Sequence, residues 1–248
     1  MDKPVIGILA GMGPRSTSPF LEKVLDQCQV QLGASDDMDF PPIVIYSLPT
    51  PFYVDRPINH EEMASTIKMG LQDLEKTGVA FISMPCNSAH RYFDELSDSI
   101  TIPLLNMIDM TVQDLPDNSK TIAVLGTETT IEMNLYQDKI KKKGSEPFHD
   151  SQVQQQINNI LMDVKSHNDI HSARRRWETL TSYLIKNKVD SLLLACTDLQ
   201  PVVTNNSSKE LPYLDAADCL AKNTVIQWQK SCQKLGSNTS KGKSFYNY

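Results

Sequence analysis

Two stretches of equal length, Glu75-Lys-Thr-Gly-Val-Ala-Phe-Ile-Ser-Met-Pro-Cys86 and Ile185-Lys-Asn-Lys-Val-Asp-Ser-Leu-Leu-Leu-Ala-Cys196, align without a gap. Each reads as a helix end, a turn, a short apolar strand and a cysteine at the strand's carboxyl end. A polar stretch follows each cysteine and leads to a second strand start. This is Pro103-Leu-Leu-Asn106 in one half and Pro212-Tyr-Leu-Asp215 in the other, 17 and 16 residues further on. Upstream, Val5-Ile-Gly-Ile-Leu-Ala-Gly11 is similar to Thr121-Ile-Ala-Val-Leu-Gly-Thr127. Three similarities in the same order imply an internal repeat.

The rest of the chain fits that frame. Val5–Leu9, Ile43–Leu48, Val79–Met84, Ile122–Leu125 and Ser191–Ala195 are nearly continuous in apolar residues, as buried parallel strands are. Between them the spacing predicts helices at Pro19–Leu32, Glu61–Lys76, Ile131–Lys142, Ser151–Val164 and Ala173–Asn187. Strands separated by such helices imply right-handed βαβ units, hence an α/β fold with doubly wound parallel sheets. The repeat divides it into two pseudo-symmetric lobes with a cleft between them. Residues 1–115 with 216–248 form the first, carrying Cys86, and residues 116–215 the second, carrying Cys196. The last helix, Ala216–Leu235, is expected to return to the first lobe, and the polar tail from Gly236 to Tyr248 to be disordered.

Composition bounds the function. The chain has 248 residues and a net charge of -6, which excludes the clustered positive charge of a broad nucleic-acid footprint. Five cysteines without a CxxC pair suggest neither a disulfide framework nor a thiol-redox motif. No apolar stretch approaches the ~20 residues of a membrane span, and Met1-Asp-Lys-Pro4 starts no basic-then-apolar leader. The expectation is a cytoplasmic protein acting on a small molecule, with no nucleic-acid or membrane partner.

In open parallel sheets ligands sit at the carboxyl ends of the strands, where both repeat cysteines fall. Asn87-Ser88 and Thr197-Asp198 follow them and supply helix caps and hydrogen-bonding groups. A thiol at such a helix start has its thiolate favoured. Cys28, Cys219 and Cys232 sit in helical patterns and read as small buried hydrophobes. Two thiols at equivalent strand ends would instead face one another. Opposed thiols suit inversion of a stereocentre, one removing an acidic hydrogen and the other protonating the opposite side. The carbanion between them needs fixed donors and a site that excludes water. The turn Leu9-Ala-Gly-Met-Gly-Pro14 fits either a tight strand-to-helix turn or backbone close to an anionic ligand.

Six motifs together resemble the aspartate/glutamate racemase superfamily, and its aspartate racemase branch most. They are Gly7-Ile-Leu-Ala-Gly-Met-Gly-Pro14, Tyr53-Val-Asp-Arg-Pro57, Met84-Pro-Cys-Asn-Ser-Ala-His90, Leu125-Gly-Thr-Glu-Thr-Thr130, Val164-Lys165 and Ala195-Cys-Thr-Asp198. The resemblance implies two flavodoxin-like lobes, often a homodimer, and racemisation of a small acidic amino acid without pyridoxal phosphate or metal. It implies that Cys86 and Cys196 are the catalytic pair. It places Asn87, Ser88 and Thr197 on the substrate's α-carboxylate and amino groups, with Met12, Thr127 and Asp198 also at the substrate. Arg56 and Lys165 stand where that branch grips the side-chain carboxylate. A guanidinium fork and a lysine point charge suit that task. The pattern carries Ser88 and Asp198 where threonine and glutamate are usual, keeping hydroxyl and carboxylate.

The implied reaction is interconversion of L- and D-aspartate. A glutamate or broad-specificity racemase, or a non-catalytic binder of acidic amino acids, are the alternatives. A decarboxylase or isomerase of the same superfamily would need only one of the two thiols. The remaining signals read as ordinary. His167 and His171 lack the glutamate of a zinc helix. His90 either supports the Cys86 thiolate or packs its helix. Arg174-Arg-Arg176 and Lys141-Lys-Lys143 read as solvated helix faces. Asn206 heads an Asn-x-Ser sequence without weight in the cytoplasm.

Overall fold

A computed structural model describes residues 3–53, 57–203 and 211–241. Arg56, Asn206 and the terminal residues from 242 onward lie outside the described residues. The chain divides into two compact units. One holds the residues up to Pro85, Asp94–Leu105 and Leu220 onward, the other Cys86–Phe93 and Asn106–Cys219.

In the first unit, β1 (Ile6–Ala10), α1 (Thr17–Leu32), β2 (Ile43–Ser47), α2 (His60–Lys76) and β3 (Phe81–Ser83) follow one another, then α3 (Phe93–Asp98). The strands are parallel in the order β2-β1-β3, and Ile82 of β3 bridges in parallel to Leu104 on its far side. All five residues of β1 are buried, so a central strand written in continuous apolar residues is what the sheet requires. Phe20, Val24 and Cys28 form the inward stripe of α1, which Gly33 ends in the left-handed conformation at φ 68°. Asn59 caps α2, its side chain accepting from the Glu62 N–H at 3.2 Å. After β1 the chain turns at Gly11, whose φ is +96°. A Cβ there would lie 2.5 Å from both N and O of Leu48.

In the second unit come α4 (Met107–Gln113), β4 (Thr121–Gly126), α5 (Glu128–Glu132), α6 (Gln137–Lys142), β5 (Glu146–Phe148), α7 (Ser151–Met162) and α8 (Ile170–Lys186). Then β6 (Ser191–Ala195), β7 (Tyr213–Asp215) and α9 (Ala216–Lys241) complete the chain. The sheet is parallel in the order β5-β4-β6-β7. That is the order of the first sheet with β7 in the place of Leu104, so the repeat is one of topology as well as of sequence. Val153, Ile157 and Ile160 of α7 and Trp177, Leu180 and Leu184 of α8 close over this sheet in one buried cluster.

Several expectations change. The predicted helix Ile131–Lys142 is two helices, broken where Asn134 takes φ 51° and Tyr136 is fully buried. The Gln137 side chain donates to the Ile131 carbonyl at 3.0 Å, satisfying a group the break releases. Strand β5 escaped notice because it is short and contains Pro147; an edge strand tolerates proline. Helix α9 continues to Lys241 instead of giving way to a disordered tail at Gly236. Lys143 is no solvated cation: its ammonium donates to the carbonyls of Val112, Gln113 and Leu115 at the end of α4. Segments 86–93 and 106–115, expected with the first lobe, belong to the compact second unit.

Gly11→Ala puts a side chain against backbone at a left-handed φ. We expect a loss of about 2–4 kcal/mol, read from the urea midpoint. An unchanged midpoint would show that the turn yields freely.

Candidate active site

Cys86 opens the second unit's share of the chain, three residues after β3, and a 3-10 turn at Ser88–Tyr92 follows it. The backbone N–H groups of Ala89 and Ser88 are directed at its thiol. The segment is held by His90, a buried ring stacked on Phe93 with centroids 5.6 Å apart. Its Nε2 accepts the Met107 N–H at 3.0 Å, so the ring proton sits on Nδ1 and is donated to the Cys86 carbonyl at 2.8 Å. Of its two possible roles, His90 therefore acts on the backbone beside the thiol, tying it to the start of α4. Asn87 is buried too, and its Oδ1 accepts the Tyr136 hydroxyl at 2.5 Å. Ser88 turns its hydroxyl to Thr127 at 3.1 Å and Thr130 at 3.5 Å, and those two threonines are 3.1 Å apart.

Cys196 follows β6 directly and precedes a second 3-10 turn, Thr197–Val202. Asp198 in that turn places Oδ2 3.7 Å from the Cys196 Sγ, which donates to it. The same oxygen lies 2.8 Å from Lys165 Nζ. Lys165 comes from a π-helical turn, Asp163–His167, that ends α7, a distortion frequent at functional sites. The turn is braced by Asp163, whose carboxylate takes Arg176 Nε at 2.7 Å and His167 Nδ1 at 3.3 Å. Arg176 stays on the exposed face expected of it, yet its Nε reaches Asp163 and braces the lysine's turn, and His167 serves the same carboxylate.

The electrostatics follow from packing. Burial pushes the Cys86 thiol up from its ordinary value, against the Ala89 N–H and the Lys165 charge. Burial and then the Asp198 charge push Cys196 up to about 12. Burial alone would lower Lys165, but Cys196 and Asp198 outweigh it and hold the ammonium. The Cys86 thiolate would add a smaller push in the same direction on Cys196.

Of the residues singled out from sequence, Cys86, Asn87, Ser88, Thr127, Lys165, Cys196, Thr197 and Asp198 all lie in the second unit. Met12 lies in the first, between β1 and the turn at Pro14–Ser16. Thr130, Tyr136, Asp163 and Arg176 went unrecognised. Thr130 at least ends a quoted motif, whereas Tyr136 and the Asp163–Arg176 pair left no sequence signal. Among the described residues no group of three or more His, Cys, Asp and Glu side chains could hold a metal ion, and no helix is long and apolar enough to cross a membrane. The site offers two thiols, one paired cation, and a cluster of hydroxyls beside an amide.

Comparison with known proteins gives the family. Residues 9–224 match the family described as Asp/Glu/Hydantoin racemase. The chain is 46% identical over 221 residues to the broad specificity amino-acid racemase RacX of Bacillus subtilis, covering 89% of this chain and 96% of that protein. The aspartate racemase of Picrophilus torridus is 28% identical and superposes with a TM-score of 0.77, covering 91% of this chain and 94% of its own. Glutamate racemase RacE1 of Bacillus anthracis, 17% identical, shares the fold at a TM-score of 0.68 over 93% of this chain and 84% of its own. The chain belongs to the Asp/Glu/hydantoin racemase family and is an amino-acid racemase, an isomerase.

Burial alone would raise Asp163, but the bonds from Arg176 and His167 hold its carboxyl below the ordinary range. A folded value below the unfolded one contributes stability above about pH 4, lost as pH falls through the folded value. Asp163→Asn should therefore be less stable at neutral pH and lose less on acidification, read as thermal midpoints across that range. Parallel acid curves for the two proteins would show that the brace adds nothing.

Proposed function

We propose that the chain racemises amino acids without pyridoxal phosphate, passing the α-proton between Cys86 and Cys196, and that it accepts a range of side chains. The carrying observation is that both thiols lie in one compact unit, at the carboxyl ends of β3 and β6, with the Lys165–Asp198 pair bearing on both. One thiolate takes the α-hydrogen as a proton, so a C–H bond breaks and an S–H bond forms. The other thiol gives its proton to the opposite face, leaving a thiolate behind. Asn87, Ser88 and Thr127, close to Cys86 in the chain or bonded to its neighbours, would hold the α-carboxylate and amine and stabilise the charge that develops.

The side-chain range is argued from Lys165. A cation free to grip a second carboxylate would select aspartate, but this ammonium already has a carboxylate at 2.8 Å. The pair so formed is close to neutral and gives an acidic side chain little advantage over an uncharged one. The broad specificity of the relative that is 46% identical supports the same reading. Aspartate as the preferred substrate is the second reading, favoured by Arg56 and Lys165 at the positions the aspartate branch uses and by the likeness to the P. torridus aspartate racemase.

Exchange of the α-hydrogen in D2O, followed by NMR across a panel of both enantiomers, tests the reaction and the range together. Several neutral amino acids should exchange with kcat/KM within about tenfold of aspartate. A preference for aspartate of about a hundredfold or more, lost in Arg56→Ala, would restore the second reading. No exchange with any amino acid would make the protein a binder.

Cys86→Ser and Cys196→Ser should each lower racemisation by at least about 100-fold, measured by polarimetry. Each should keep α-hydrogen exchange from one enantiomer only. A variant that racemises normally removes its cysteine from the mechanism.

A further inference from the structure

The break between α5 and α6 fixes the place of Tyr136. Asn134 takes φ 51° there, and both ends of the Gln137 amide are spent on the break. Its Nε2 donates to the Ile131 carbonyl at 3.0 Å, and its Oε1 accepts the Tyr136 N–H at 3.3 Å. The Tyr136 ring so held is fully buried, and its hydroxyl donates to Asn87 Oδ1 at 2.5 Å. Asn87 follows Cys86 directly and is itself only 5% exposed. A side-chain amide has one accepting and one donating end. Tyr136 occupies the accepting end, and among the described residues the Nδ2 end has no hydrogen-bond partner. Buried amide nitrogens are ordinarily paired, so the free end calls for an acceptor. Turning the amide over would break the bond from Tyr136. Every residue of this arrangement lies in the second unit.

We propose that Tyr136 is a positioning residue: by holding the Asn87 side-chain oxygen it leaves Asn87 as a donor only, directed at the substrate's α-carboxylate and not at its amine. The inference rests on the racemase reading and narrows it, since that reading leaves Asn87, Ser88 and Thr127 undivided between the two groups. A carboxylate only accepts hydrogen bonds and an ammonium only donates them. The Nδ2 hydrogens can therefore meet the first and not the second. The same donor serves the reaction. When a thiolate takes the α-hydrogen as a proton, the electron pair left on the α-carbon spreads into the carboxylate. An N–H held there by a buried ring needs no reorganisation as that charge grows. Gln137 acts one step further out, through Tyr136.

Equilibrium binding by titration calorimetry tests this with three ligands: aspartate, succinate (aspartate without its amine) and β-alanine (aspartate without its α-carboxylate). Tyr136→Phe keeps the ring and removes the hydroxyl. It should weaken aspartate and succinate alike, by about tenfold, and leave β-alanine within about twofold. A loss on aspartate and β-alanine that spares succinate would put the amide oxygen at the amine. An equal loss on all three ligands, or on none, would show no action through the α-carboxylate. Each of these overturns the proposal. In Asn87→Ala the hydroxyl should matter no further, so the double variant should bind succinate as weakly as Asn87→Ala alone; losses that multiply overturn it. The unaltered protein supplies a measurement that needs no variant. In proton–nitrogen correlation spectra the Asn87 side-chain amide signals should shift with succinate and stay in place with β-alanine. A shift with β-alanine, or none with succinate, overturns the proposal. Binding is read without turnover, so the two readings fail separately. The expected pattern without α-hydrogen exchange removes the racemase reaction and keeps the role of Tyr136, whereas exchange with an overturning pattern removes only that role.

Discussion

One imidazole sets the position of the first thiol. His90 accepts a hydrogen bond from the Met107 backbone N–H and donates one from Nδ1–H to the Cys86 carbonyl, so a single neutral ring satisfies two buried backbone groups. A buried backbone group left unpaired costs roughly 1–3 kcal/mol, and the ring meets both requirements only in one tautomer and one orientation. Its stack on Phe93 and its near-complete burial leave it no other. The chain at 86–93 is thereby fastened to the start of α4, and the thiol, the Asn87 amide and the Ser88 hydroxyl are carried with it into the second unit. Asn87 with Tyr136, and Ser88 with Thr127 and Thr130, then fix the segment from the other side.

The same packing decides the electrostatics. In a site of low dielectric a charge has to be matched by an opposite charge or by directed hydrogen bonds. Lys165, whose side chain is 43% exposed, and Asp198, at 17%, match each other's charge. The lysine reaches this place because α7 ends in a π-helical turn, and that turn persists because Arg176 and His167 satisfy the buried Asp163. A pair that neutralises itself makes a weak selector of acidic side chains, which is the basis of the proposed breadth of substrate.

Much of this was readable in the amino-acid order. Continuous apolar runs marked the central strands because a parallel strand covered on both faces has no polar side to show. The repeat around Cys86 and Cys196 marked both strand ends, and the matching sheet orders are its structural form. Short elements were lost. Strand β5 is three residues with a proline, and the break between α5 and α6 keeps an apolar spacing that mimics one helix. The partners of Lys143 and Arg176 went unread because a cation's partner far along the chain leaves no trace in local sequence. Lys143 caps α4 from about 30 residues away in sequence, as one of its bonds shows directly.

Sequence alone determined the class of fold, the alternation of strand and helix, and the strand ends at which Cys86 and Cys196 stand. These depend on residue type and on spacing within a single element, which the chain writes down in order. Tertiary structure alone decided that both thiols share one unit, that Lys165 is already matched by Asp198, and that the Cys196 sulfur donates to that same carboxylate. Those are contacts between residues far apart in the chain, or orientations of a few neighbouring groups, and they are settled only when packing and desolvation choose among the partners that local sequence allows.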